Sequence, residues 1–204
     1  MAKKIPSIVK EIKNNPPSPV NYAYQKNISY SQMSIFRGCP HRWKLQYKDK
    51  IKRFTSSIHT VFGTAVHEAM QHYLDVAYEK SFAAADREIN IEEYFQEKYI
   101  GEYQKQYKSN NSEHFSDAPE MREFFEDGVA ILEWFKKKRS RYFSKKNTYL
   151  VGCEIPIVIA PNKMYNNVLY MGYLDVVTYH EPTNTFKIID IKTSTKGWND
   201  YSKK

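Results

Sequence analysis

Met171-Gly172-Tyr173-Leu174-Asp175-Val176-Val177 and, ten residues further on, Lys187-Ile188-Ile189-Asp190-Ile191-Lys192-Thr193 are the stretches that decide how the chain is read. Both are rich in β-branched residues and read as strands, Val168–Tyr179 and Phe186–Thr193. The segment His180-Glu181-Pro182-Thr183-Asn184-Thr185 between them has turn chemistry. A hairpin folded symmetrically about Pro182-Thr183 pairs Tyr179 with Phe186 and sets Asp175 opposite Asp190. Directly paired residues share a face of a sheet. Asp190 and Lys192, at i and i+2, also share a face, about 7 Å apart along the strand. A slip of one residue would send Asp175 to the opposite face.

Two facing carboxylates repel each other, and burying them unpaired is costly. A shared proton, a basic partner or a metal ion relieves that cost. Lys192 can neutralise one acid. A hard cation such as Mg²⁺ or Mn²⁺ would bind both, with waters filling its other positions. A lysine beside ion-bound water could orient that water or help deprotonate it for attack on a phosphodiester. The competing reading is a salt-bridge cluster on a solvated hairpin face. The apolar neighbours Leu174, Val176, Ile188 and Ile189 weigh against it, as does Gly172, which leaves room for close backbone approach.

Upstream, Thr148–Ala160 reads as another strand, and 161–167 as a turn. Before these the periodicity is helical. Val61, Phe62, Ala65, Val66, Ala69, Met70, Tyr73 and Leu74 follow i, i+3, i+4, i+7 spacing and predict a helix over 58–80. Two more fit Ile91–Tyr107 and Pro119–Tyr142. Around Gly38-Cys39-Pro40 two short helices with a bend are expected, the first capped by Ser31. Residues 1–27 are Lys-rich and carry Pro6, Pro16, Pro17 and Pro19, and they read as a flexible basic arm. The expected fold class is α+β, with helices followed by a three-stranded antiparallel meander. The expected division is the arm and a domain over 28–204 with a helical insert at about 82–146.

The chain has 204 residues and 24.2 kDa, room for one domain with a sizeable core. Its net charge of +8 raises the prior for a polyanionic partner such as nucleic acid. Mean hydropathy is −0.70. No run approaches the roughly 20 apolar residues of a membrane helix, and no membrane role is expected. The first residues lack the apolar stretch of a secretory signal, and two cysteines cannot make a disulfide scaffold, so a reducing cytoplasmic setting is expected.

The Met171–Val177 and Lys187–Ser194 stretches resemble the core of the PD-(D/E)XK nuclease superfamily, in its RecB-like branch, which includes CRISPR-associated exonucleases. Two upstream stretches agree in kind and order. Ser29–Pro40 followed by Trp43-Lys44-Leu45-Gln46-Tyr47 resembles that branch's N-terminal Cys-Pro helical segment. Phe62-Gly63-Thr64-Ala65-Val66-His67-Glu68 resembles its Gly-x-x-x-His-Glu helix.

The resemblance implies a restriction-endonuclease-like core and metal-dependent hydrolysis of DNA, as an exonuclease in recombination, repair or phage DNA metabolism. It implies that His67, Asp175 and Asp190 ligate the ion, with the backbone carbonyl of Ile191, and that Lys192 is the catalytic lysine. Glu68 and Glu154 are expected beside the site. The implied ion is Mg²⁺ or Mn²⁺, with imidazole suiting Mn²⁺ somewhat better. The implied setting is a bacterial or phage-infected cytoplasm. Relatives with an iron–sulfur cluster use one N-terminal cysteine and three C-terminal ones. Cys39 matches the first, the trio has no counterpart, Cys153 reads as a small core residue, and no cluster is expected in this chain.

The family continues past the lysine into a helix with a Gln-x-x-x-Tyr pattern, whereas Lys204 falls before such a helix could form. A split gene product, a truncation, or a subunit to which a partner chain supplies that helix is therefore expected. So is a helicase or recombination protein, because no phosphate-binding glycine loop is present. The alternative is a catalytically incomplete nuclease fold that binds DNA or a partner chain. The aromatics read mainly as core. The basic run Lys136–Arg141 reads equally as a phosphate contact and as a solvated helix end.

Overall fold

The computed structural model describes residues 5–17, 26–51, 56–143, 145–159 and 168–193. Two units make up the chain, a sheet unit of residues 1–54 and 151–189 and a helical unit of residues 55–150 and 190–204.

In the sheet unit, β3 (Val168–His180) lies at the centre of a mixed four-stranded sheet. β2 (Thr148–Ile159) and β1 (Lys26–Ser29) are its neighbours. β1 runs parallel to the first part of β3, from Lys26 opposite Val168 to Ser29 opposite Met171. β4 (Thr185–Ile189) runs antiparallel to the last part, from His180 opposite Thr185 to Val176 opposite Ile189. Gly172–Asp175 thus lie between the ends of the two ladders. The 3-10 turn Glu181–Thr183 closes the hairpin, and Asn184 takes the left-handed conformation (φ 50°) that asparagine tolerates.

α1 (Ser7–Asn14), α2 (Tyr30–Gly38) and α3 (Pro40–Trp43) complete this unit, with a π-helical turn over Lys44–Lys48. α2 packs on β1 and β3. The Ser29 hydroxyl caps it by accepting from the Gln32 N–H at 3.3 Å, two residues ahead of the expected Ser31.

Three expectations change. The sheet has a parallel member and four strands in place of a three-stranded meander. Lys26–Ser29 has too short a pattern to read, and its pairing with β3 makes it a strand. The arm assigned to 1–27 contains α1, which starts behind Pro6 (φ −56°) and buries Val9 completely, and its last two residues, Lys26 and Asn27, belong to β1. The last strand stops at Ile189, not at Thr193. It is also no buried strand: Phe186 is 43% and Ile188 59% exposed, because among the described residues β4 pairs with β3 alone.

The helical unit follows the sequence more closely. It holds α4 (Ile58–Glu79), α5 (Phe82–Glu88), α6 (Ile91–Ser109) and α7 (Ala118–Tyr142). α5, a short helix that the periodicity did not mark, is capped by Ser81. Asn90 caps α6, and Asp117 accepts from the Glu120 N–H at 2.8 Å to cap α7. α4 buries Val61, Ala65, Val66, Tyr73 and Leu74 completely, the stripe that its spacing predicts. Phe95 on α6 is equally buried and stacks on Phe125 of α7. No helix among the described residues is long and apolar enough to cross a membrane.

Three tyrosines anchor this core by their hydroxyls. Tyr78 donates to the Phe143 carbonyl at 2.7 Å, Tyr99 to the Met121 carbonyl at 3.0 Å and Tyr73 to Asp86 at 2.8 Å. Burial pushes all three phenols above their ordinary value, and at Tyr73 the bond to Asp86 adds to the effect. Unfolded, these groups ionise near pH 10, roughly the free phenol's value; folded, they stay neutral further up. Their contribution to stability is therefore constant below about pH 10 and falls as pH rises above it. Phenolate absorbance is expected to show a subset of the 17 tyrosines ionising only with unfolding. All of them ionising together in a still-folded chain would contradict this.

Candidate metal centre

An acid inside the apolar run Val151–Ile159 makes Glu154 conspicuous, and the backbone there is unusual. Glu154 lies within β2 yet has φ 50°, in the left-handed region that side chains other than glycine seldom adopt. A left-handed residue breaks the strict alternation of a strand and re-aims the side chain it carries, as bulges do. The Glu154 carboxylate is exposed and approaches Asp175 on β3, with an oxygen of each within 4.8 Å of the other. Asp175 is half-buried in the stretch of β3 between the β1 and β4 ladders. Two carboxylates this close offer hard oxygen donors of the kind that Mg²⁺, Mn²⁺ or Ca²⁺ selects.

The hairpin has the expected register, with Tyr179 opposite Phe186. The ladder ends at Val176 opposite Ile189, one pair short of Asp175 and Asp190. Asp190 has left the strand and makes an ion pair with Lys192 at 2.9 Å, both side chains 60% exposed. The close pair of acids on the sheet is therefore Glu154 with Asp175. Glu154 had been expected only beside the site.

Asp190, Ile191, Lys192 and Thr193 belong to the helical unit. A Cβ placed on Gly63 of α4 would lie 3.4 Å from the Thr193 hydroxyl, so the segment after the lysine passes over α4 there. His67 stands one helical turn beyond Gly63 and is half-buried. Glu68 points to solvent and pairs with Lys98 at 3.6 Å. The site residues read from the sequence thus fall into two groups, Glu154 and Asp175 on one unit and His67, Glu68, Asp190, Ile191 and Lys192 on the other. At Gly172 a Cβ would meet nothing within 4 Å among the described residues, none of which makes the close backbone approach expected there.

The basic run at the end of α7 is partly spent on the protein itself. Arg139 and Lys136 both pair with Asp86, and Lys137 pairs with Glu133.

No curated protein matches the chain. A family model does match, that of the PD-(D/E)XK nuclease superfamily, whose members are in general phosphodiester hydrolases dependent on divalent metal ions. The match takes in most of β1, the four helices α4 to α7 and the whole hairpin, and the α+β architecture with its mixed four-stranded sheet fits the restriction-endonuclease-like fold. Aligned over residues 27–203, nearly its full length, the chain belongs to the PD-(D/E)XK nuclease superfamily.

Proposed function

We propose that the chain is a metal-dependent DNA nuclease of the RecB-like branch, an exonuclease serving DNA recombination, repair or phage DNA metabolism. The observation that carries the reading is the pair of carboxylates, Glu154 and Asp175, brought within 4.8 Å on adjacent parts of one sheet. Asp175, Asp190 and His67, with the Ile191 carbonyl, are the ligands that the family resemblance assigns, and Glu154 is added to them for its closeness to Asp175. A divalent cation so held would supply Lewis acidity to the scissile phosphodiester. Asp175 and Glu154 fix where positive charge can sit. Lys192, whose ammonium pairs with Asp190 at 2.9 Å, is the group that the resemblance assigns to orient the attacking water and steady charge on the phosphate.

Cleavage of end-labelled linear DNA under Mn²⁺ tests the reading. Lys192→Ala and Asp190→Ala are each expected to lower the rate by about 10² or more, the scale of losing one charge-stabilising group. Undiminished cleavage in both variants would reject these roles. A second reading is favoured by β4, whose Phe186 and Ile188 are exposed: a partner chain covers that strand, and the isolated chain binds DNA without cutting it. Release of free nucleotides by the purified chain alone would dismiss that second reading.

A further inference from the structure

The segment Tyr30–Ile51 does not look like a piece of core. None of α2, α3 or the π-helical turn contains a buried residue. Tyr30 is 76% and Phe36 48% exposed. Phe36 meets Trp43 edge to face at 5.5 Å, and Trp43 stacks on Tyr47 at 6.4 Å, which makes a short row of rings. Cations interleave with it in sequence: Arg37 follows Phe36, Arg42 and Lys44 flank Trp43, and Lys48 follows Tyr47. With Lys50 these make five cations against one acid, Asp49, which is itself paired with Lys44 at 3.7 Å.

Such a surface is matched to one chemistry. Cations alone would serve any polyanion, and duplex DNA would satisfy them through its phosphates. Exposed rings gain little from a duplex, whose base faces are covered. Unpaired bases stack on them at about 1–3 kcal/mol per base. A membrane surface would ask for a continuous apolar face, whereas cations recur between the rings here.

We propose that Tyr30–Ile51 is a platform for single-stranded nucleic acid, on which Tyr30 and Phe36 stack bases and Arg37, Arg42 and Lys48 hold phosphates. α2 packs on β3, the strand that carries Asp175, so the platform and the carboxylate pair share one unit. The inference deepens the nuclease reading and rests on it for its biological sense. Its test is independent, because binding is measured without metal.

Fluorescence anisotropy of a labelled oligothymidine with the full chain in EDTA gives the readout. The expected result is single-strand binding about tenfold tighter than binding to a duplex of equal length. Tyr30→Ala and Phe36→Leu are each expected to weaken single-strand binding about fivefold or more, the effect of losing one stacked base, and to leave duplex binding alone. Phe36→Leu keeps the apolar bulk against Trp43 and guards against a folding artefact. Arg37→Ala is expected to weaken both and to flatten the single-strand salt dependence by about 0.7. Single strands and duplex bound equally, with both ring variants unchanged, would overturn the platform even in a chain that cleaves DNA. Ring-dependent single-strand binding in a chain that cleaves nothing would uphold it and refute the nuclease reading instead.

Discussion

Replacing Asp175 by asparagine is expected to lower DNA cleavage under Mn²⁺ by about 10³-fold or more while leaving the fold intact. The loss corresponds to about 4 kcal/mol of transition-state stabilisation, at about 1.4 kcal/mol per factor of ten. The reason is local. Asp175 and Glu154 bring two hard oxygen donors within 4.8 Å, a spacing at which one divalent cation can be held by both. Metal at about 100 times its dissociation constant stabilises the folded chain by about 2.7 kcal/mol. For a chain of this length that is a rise in melting temperature of about 5–10 °C. Asp175→Asn and Glu154→Gln are both expected to abolish most of that rise. The difference between melting with and without Mn²⁺ in each variant, rather than its metal-free melting temperature, is the readout. Mn²⁺ still raising the melting temperature of both variants by the full amount would show that the ion does not sit there.

Gly128 gives the largest expected effect on stability. A Cβ at this position of α7 would stand 2.2 Å from Phe95 Cζ and 2.6 Å from Cε1. Phe95 cannot swing away easily, being fully buried, stacked on Phe125 at 5.5 Å and against Tyr99 at 5.6 Å. In an exposed helix, glycine to alanine would gain about 1 kcal/mol. Here overpacking reverses the sign, and Gly128→Ala is expected to cost about 2 kcal/mol net. Gly128→Leu is expected to prevent the helical unit from folding, and Phe95→Ala in the same chain to restore it in part. Urea midpoints at constant slope measure the effect. A higher midpoint for Gly128→Ala would mean that the ring has somewhere else to go.

The helices were legible because their information is local. The α4 stripe repeats over 22 residues, enough for periodicity to average out exceptions. The hairpin register was legible too, because its turn fixed it, and Tyr179 opposite Phe186 followed from the turn's symmetry. β1 was not legible: four residues carry no period, and their strand state depends on β3, far along the chain. The same holds for Glu154. Nothing in Cys153-Glu154-Ile155 announces a left-handed residue, and without it strict alternation gives no reason to aim that carboxylate at Asp175. Asp190 and Lys192 were read as strand residues because Ile188, Ile189 and Ile191 favour extension. The strand ends sooner because β3 pairs with it no further than Val176.

The parallel ladder joins residues 142 positions apart (168 − 26), whereas the hairpin's longest pairing spans 13 (189 − 176). Loop-closure entropy rises with the logarithm of that separation, which makes the parallel pairing about 2 kcal/mol harder to close. The hairpin therefore zips early and β1 arrives late, so the strand bearing Asp175 takes shape before its parallel neighbour joins. Residues 55–150 sit wholly inside the long loop. Doubling that loop would add only about 0.6 kcal/mol, so insertions among these helices can accumulate at little entropic cost to the sheet.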